Sequence, residues 1–182
     1  MTGLVLRRAA KCKNSAMTIS VRVGQGFDIH KFVDTSVGDR KLILGGVEFV
    51  GERGLLGHSD ADVVAHSAAD ALLGAAGLGD IGQHFPDTDP KWKGVDSILL
   101  LQKVAQMVRD AGFEIGNVDC SVVCEQPKLA PHRDEMQRRL SDAVGAGVTV
   151  KGRRAEGLGA LGRNEGIACW SVAVIQFMKA GD

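Results

Sequence analysis

The sequence predicts an α/β or α+β fold. Three observations carry that expectation. Strand-like runs open the chain, stretches of helical period follow, and further strand-like runs separate and close them. The chain has 182 residues, the length of one domain or a compact pair. A chain of about 150 residues already buries about two-thirds of its unfolded surface, so no staple is needed.

Residues 1–18 read as a basic, non-periodic tail, and residues 19–179 as the folded domain. The apolar part of the tail is too short for a secretory signal, and Met17 offers an alternative start. "ISVRVGQGF" alternates Ile19, Val21 and Val23 with polar or small residues, a strand signature. "KLILGGVEF" predicts a short strand closed by Gly45-Gly46. A helix is expected from Asp60 to Ala76. Ser59 is its N-cap, Asp62 approximates a capping box, and Gly77 stands just past its end. Val64, Ala68, Ala71, Leu72 and Ala75 form its apolar stripe.

The loop from Gly79 to Gly94 is long for a compact domain and is expected to be functional or mobile. "DSILLLQKVAQMVRDAG" repeats the helical pattern through Ile98, Leu101, Ala105 and Val108, with Gly112 as the stop. "VDCSVVC" is strand-like. "PHRDEMQRRLSDAVG" predicts a third helix with Met136, Leu140 and Val144 inward, and "GIACWSVAVIQF" a long final strand.

Acidic and basic residues balance at 22 each, which argues against a nucleic-acid grip. No apolar run approaches the roughly 20 residues that span a bilayer. Cys12, Cys120, Cys124 and Cys169 form no C-x-x-C pair and read as reduced thiols. The 24 glycines point to tight turns or to backbone approaching a ligand closely.

"GFDIH" puts Asp28 and His30 two residues apart, on one side of an extended segment. Asp62, His66 and Asp70 form one row of the first helix. His66 could complete an Asp-His-His set with an open fourth position, as in a catalytic Zn²⁺ site. Mixed N/O ligands also suit Mn²⁺ or Fe²⁺. Spacing alone leaves the alternative open: His66 as an ordinary helix histidine and Asp28 as a turn cap.

"GQGFDIHKF", "GLLGHSDADVVAHSAADALLGAAGLGDIGQHFPDTDPKWKG", "GNVDCSVVCEQPKLAPH" and "LGRNEGIA" occur in that order. They resemble the 2-C-methyl-D-erythritol 2,4-cyclodiphosphate synthase family of the non-mevalonate isoprenoid pathway, over about Val21 to Val174. The resemblance implies a single domain with a mixed β-sheet and helices packed on one side, assembling as a homotrimer with active sites between subunits. It implies Zn²⁺ (or Mn²⁺) held by Asp28, His30 and His66, and Mg²⁺ or Mn²⁺ held by Glu156 and bridging the diphosphate. His58 and Ser59 would meet the substrate phosphates, with Ile29 beside the metal ligands. Asp80, Ile81, Gly82, Phe85, Pro86, Asp87, Thr88 and Asp89 would line the erythritol site. Cys124, Glu125, Gln126, Pro127, Lys128, Leu129 and Ala130 would form the cytosine pocket. Arg153, Arg154 and Ala155 complete the substrate set beside Glu156.

"RRAE" departs from the family's frequent Thr-Thr-Thr-Glu. Arg154 stands where a threonine hydroxyl helps stabilise the transition state. It can still donate to phosphate, or swing out. Ala160 replaces a common phenylalanine and Asn164 a common glycine. Ala160 and Arg163 match positions near a cavity on the trimer axis, where an isoprenoid diphosphate could bind.

The implied reaction is an intramolecular phosphoryl transfer that releases CMP, with His58 and Arg154 as its catalytic groups. A small cytidine diphosphate compound is the expected partner, with neither nucleic acid nor membrane. The expected compartment is the bacterial cytoplasm, with an organellar stroma as the other option. Asp62 and Asp70 are expected to cap and orient rather than bind metal. Asp80, Asp87 and Asp89 are expected to accept hydrogen bonds from substrate hydroxyls, while His84 and His132 are expected to be solvated. Two other readings remain: a metal-dependent phosphohydrolase, and a non-catalytic trimeric metal- or isoprenoid-binding protein.

Overall fold

The computed structural model describes residues 18–34 and 40–179. The tail expected over 1–18 lies outside them, as does Cys12, apart from Thr18 at the start of the first strand. A four-stranded mixed sheet runs β1 (Thr18–Lys31), β6 (Gly166–Lys179), β4 (Glu114–Val123), β5 (Gly147–Arg153) from edge to edge. β6 is antiparallel to both neighbours, and β5 is parallel to β4. A separate hairpin pairs β2 (Leu42–Leu44) with β3 (Val47–Phe49). Gly45 and Gly46 turn that hairpin at φ 58° and 72°, so "KLILGGVEF" holds two strands where the sequence predicted one.

The helices α1 (Val63–Ala76), α3 (Ser97–Asp110) and α4 (Arg133–Val144) pack on one face of the sheet. Their apolar stripes are where the periodicity put them. Val64, Ala68, Ala71, Leu72 and Ala75 are buried, as are Leu101, Ala105, Val108, Met136, Leu140 and Val144. Cys120, Cys124 and Cys169 are buried free thiols. No helix among the described residues is long and apolar enough to cross a membrane.

β1 is the strand that its alternation predicted. Its Val21 and Val23 are 58% and 64% exposed, and Gly24 and Gly26, which follow them along the strand, face the core. A Cβ on Gly24 would stand 2.0 Å from the Ala71 carbonyl oxygen, and one on Gly26 2.0 Å from that of Ser67. The Ala-rich helix therefore lies directly on the strand backbone. Glycine is required on one partner and small residues on the other. The same parity carries Asp28 and His30 onto the helix side.

The start of α1 corrects an expectation. Asp62, not Ser59, is the N-cap, and the helix begins at Val63. The Asp62 carboxylate accepts from Val64 N–H (3.0 Å), Ala65 N–H (3.2 Å), Gly45 N–H (2.9 Å) and Gly46 N–H (2.6 Å). Two oxygens can serve a helix end and a hairpin turn at once, which one serine hydroxyl cannot. Burial, with Asp60 nearby, pushes the Asp62 carboxyl up to about 6 against the N–H groups of Gly46, Gly45 and Ala65.

β5 was not anticipated. Its alternating Val148 and Val150 are buried, but glycines break up the run. Two four-residue helices, α2 (Ile81–His84) and α5 (Gly159–Gly162), are too short to show a period.

Candidate metal centre and substrate cleft

The close packing of α1 on β1 places His66 Nδ1 3.0 Å from Asp28 Oδ2. His30 Nε2 approaches the same oxygen at 3.3 Å. One donor atom from each of Asp28, His30 and His66 lies within 4.8 Å of the others. Gly57 makes room for the ring, since a Cβ there would stand 3.0 Å from His30 Cε1.

Two features of this group fit a cation. His30 Nε2 is buried and, apart from that 3.3 Å approach to Asp28, makes no well-formed hydrogen bond among the described residues. His66 Nε2 faces the hydroxyls of Ser97 (2.8 Å) and Ser59 (3.0 Å), while the Ser97 hydroxyl donates to Asp60 Oδ1. With its one proton donated there, Ser97 accepts from His66 Nε2–H. The neutral imidazole then presents its Nδ1 lone pair to Asp28. Two electron-rich atoms at that distance require a proton or a metal between them. Two imidazole nitrogens and a carboxylate oxygen suit Zn²⁺ or Mn²⁺.

The electrostatics agree. Burial opposes charge on Asp28, yet the two imidazoles hold its carboxyl well below the usual range. Burial likewise disfavours the His66 imidazolium, but the Asp28 hydrogen bond outweighs it and raises the His66 pKa. Ser97 and Asp60 were missed by sequence reasoning. They come from separate segments, and no spacing signals their meeting.

His58 Nε2 lies 3.3 Å from the Asp89 carbonyl oxygen. Ser59 is buried, and Arg40 donates to the Gly57 carbonyl (2.8 Å) and to that of Ser59. His58 and Ser59 line a cavity of about 520 Å³ with Arg40, Lys41 and Lys93. The adjoining loop is structured by its own side chains. Asp80 caps α2 through Gln83 N–H (3.0 Å), Asp89 caps a 3₁₀ turn through Lys91 N–H (3.0 Å), and Phe85 packs on Trp92. Pro86, Asp87 and Thr88 form the turn between them, closed by Asp89 N–H to the Pro86 carbonyl (3.1 Å). Asp70 accepts from Ile81 N–H at 2.8 Å, anchoring α2 to α1 beside Gly82. The two histidines expected to be solvated are half-buried: His84 Nε2 lies 2.7 Å from the Leu78 carbonyl oxygen, and His132 packs on Phe49. Both rings cover apolar neighbours.

A second concavity, of about 250 Å³, is lined by every residue from Cys124 to Ala130 together with Arg133, Gly152, Arg153 and Arg154. At its edge Arg154 Nε donates to Glu125 Oε2 at 3.0 Å. Ala155 and Leu158 close a tight turn with a 2.9 Å hydrogen bond. Glu156 and Gly157 stand inside it at φ 52° and 75°. Glu156 is exposed and is not part of the three-residue cluster. Ile29 is on the outer sheet face. Ala160 is exposed on α5, and Arg163, just after that helix, pairs with Glu165 at 2.6 Å.

The sequence profile of the YgbB family matches residues 21–176. The chain belongs to the YgbB family. Its relatives include a 2-C-methyl-D-erythritol 2,4-cyclodiphosphate synthase of Bacillus cytotoxicus, 50% identical over 158 residues, 85% of this chain and 98% of that one. A bifunctional enzyme IspD/IspF of Anaeromyxobacter is 51% identical over 164 residues, 88% of this chain and 41% of that one. The YgbB chain thus spans under half of the bifunctional relative and nearly all of the single one.

Among solved structures, the bifunctional IspDF from Campylobacter jejuni superposes with a TM-score of 0.82 at 40% identity, over 88% of this chain and 43% of that one. The Plasmodium falciparum IspF CDP complex gives 0.73 at 32% identity, over 88% and 97%.

Proposed function

We propose that this YgbB chain converts 4-diphosphocytidyl-2-C-methyl-D-erythritol 2-phosphate to 2-C-methyl-D-erythritol 2,4-cyclodiphosphate with release of CMP. A 2-phosphate oxygen forms a bond to the β-phosphorus, and the bond from that phosphorus to the bridging oxygen breaks. CMP departs carrying that oxygen on its phosphate. The observation that carries this reading is the convergence of Asp28, His30 and His66 on one point, in a family with relatives named for this reaction.

The nucleophile is already anionic, so no serine, cysteine or general base is needed. The barrier is repulsion between two anionic groups and the entropy of bending the substrate. Orientation can supply roughly 7–11 kcal/mol of the rate enhancement. Dications at Asp28/His30/His66 and at Glu156 would supply Lewis-acid neutralisation of phosphate charge. Zn²⁺ or Mn²⁺ suits the first donor set, and Mg²⁺ or Mn²⁺ suits the Glu156 carboxylate. His58 and Ser59 bind phosphate oxygens, with Arg40 and Lys93 adding positive charge to the same cavity. The loop from Asp80 to Asp89 shelters the erythritol carbons. The Cys124–Ala130 concavity takes the cytosine.

The chain works as a homotrimer. Val21, Val23, Phe27, Ile29, Trp170 and Val172 are exposed on the sheet face opposite the helices, an apolar surface that supports burial against other copies. Near the trimer axis, Arg163 and Ala160 border the place for an isoprenoid diphosphate. Residues 19–179 form the catalytic domain, and the cytoplasm is the proposed compartment.

Incubating the purified chain with the substrate and Mg²⁺, followed by ³¹P NMR, tests the reaction. Equimolar CMP and cyclic diphosphate are expected. Inorganic phosphate in their place would make the chain a phosphohydrolase, and unchanged substrate would leave it a binding protein.

A further inference from the structure

Arg154 and Glu125 meet at the rim of the Cys124–Ala130 concavity, and the carboxylate divides its two oxygens. Oε2 accepts from Arg154 Nε at 3.0 Å, and Oε1 accepts from Gly157 N–H at 3.4 Å. The Glu125 side chain is 13% exposed and that of Arg154 66%. An isolated exposed ion pair contributes little. Here, however, the acidic partner sits in a wall and is also held by the backbone of the turn that carries Glu156.

A guanidinium bound through Nε still has its terminal N–H groups. Those of Arg154 make no hydrogen bond among the described residues. A lysine has no such second set of donors on a rigid plane.

We propose that Glu125 is a positioning residue: it fixes the Arg154 guanidinium at the mouth of the concavity and leaves its terminal nitrogens to hold the second phosphate of a cytidine diphosphate group. This rests on the reading of the concavity as a cytosine pocket. The held guanidinium supplies a local positive group and parallel donors where the family resemblance leads one to expect a threonine hydroxyl. Partial desolvation pushes the Glu125 carboxyl up, but the Gly157 N–H and the Arg154 guanidinium outweigh it, so the carboxylate stays charged at neutral pH.

The test compares CDP and CMP binding by calorimetry on the full chain, at fixed Mg²⁺. The wild type binds CDP more tightly than CMP. Glu125→Gln and Arg154→Thr each shrink that preference about tenfold, the scale of a lost charge-assisted hydrogen bond. The double variant loses no more than either single one, because the two residues act as a unit. Arg154→Lys does not restore the preference. A preference untouched by Glu125→Gln, or losses that add in the double variant, would overturn the inference while leaving the pocket assignment standing. A wild-type chain that binds neither nucleotide overturns both.

Discussion

The Ser97 hydroxyl lies 2.8 Å from His66 Nε2, while Asp28 Oδ2 lies 3.0 Å from Nδ1 of the same ring. The imidazole is thus held from both sides by groups far apart in the sequence. Asp60 stands behind Ser97 and accepts the hydrogen bond of its hydroxyl. Such an arrangement fixes which nitrogen carries the hydrogen and turns the other toward a cation.

Ser97→Ala removes that hold without touching a ligand. Zinc affinity, measured by competition with a chromogenic chelator, is expected to fall roughly 10–100-fold. Ser59 lies 3.0 Å from the same nitrogen and sets the lower end of that range. An unchanged affinity would show that Ser97 is only a packing residue.

Gly26→Ala would force a methyl group to within 2.0 Å of the Ser67 carbonyl oxygen. The helix must rise from the strand or the variant must unfold. Overpacking of this kind costs roughly 1–3 kcal/mol, and more when backbone is the obstacle. Denaturant midpoints report the stability loss, and zinc binding should weaken with it because His66 rides on the displaced helix. Full retention of both would refute the close-packing argument.

Asp62→Ala leaves four backbone N–H groups without their acceptor. The expected loss is about 2–4 kcal/mol of unfolding free energy, from a missing cap together with unmet buried donors. Asp62→Asn keeps one acceptor oxygen and should lose less. Equal losses for the two variants would mean that charge, not hydrogen bonding, is what the site requires.

Proton and metal compete for His66. Its pKa is raised from 6.5, so in the metal-free protein the imidazolium–Asp28 pair contributes its full stability below 6.5 and loses it as pH rises through the higher folded value. Metal needs the neutral ring, so its affinity runs the other way. The Tm of the metal-free protein should therefore drift down as pH rises above 6.5, while the increment added by zinc grows. A zinc increment that does not vary with pH would contradict the linkage.

Much of this architecture could be read along the chain. The stripe through Met136, Leu140 and Val144 announced α4, and Gly77 at φ 73° ends α1 where expected. Local patterns of this kind depend on nearest neighbours, which a sequence displays. The Asp28–His30 spacing and the helical row through His66 likewise anticipated a convergence that the coordinates contain. What the chain concealed was long-range. Nothing local tells that Gly24 and Gly26 face the helix while Val21 and Val23 face away, because alternation reveals a parity but not which side is covered. Ser59 looked like a cap because it precedes the helix. It was displaced by Asp62, which the Gly45-Gly46 turn reaches from seventeen residues upstream. The Arg154–Glu125 pair joins residues just past the ends of β5 and β4, whose parallel pairing was not anticipated.

The pleat of β1 has one more implication. Even-numbered positions 28 and 30 hold the charged and imidazole groups, and odd-numbered 27 and 29 project from the opposite side. That outer side therefore shares a ribbon one residue thick with the Asp28–His30–His66 cluster. A substitution at Ile29 that shifts the peptide planes on both flanks would lower activity without any change in the groups that perform the chemistry.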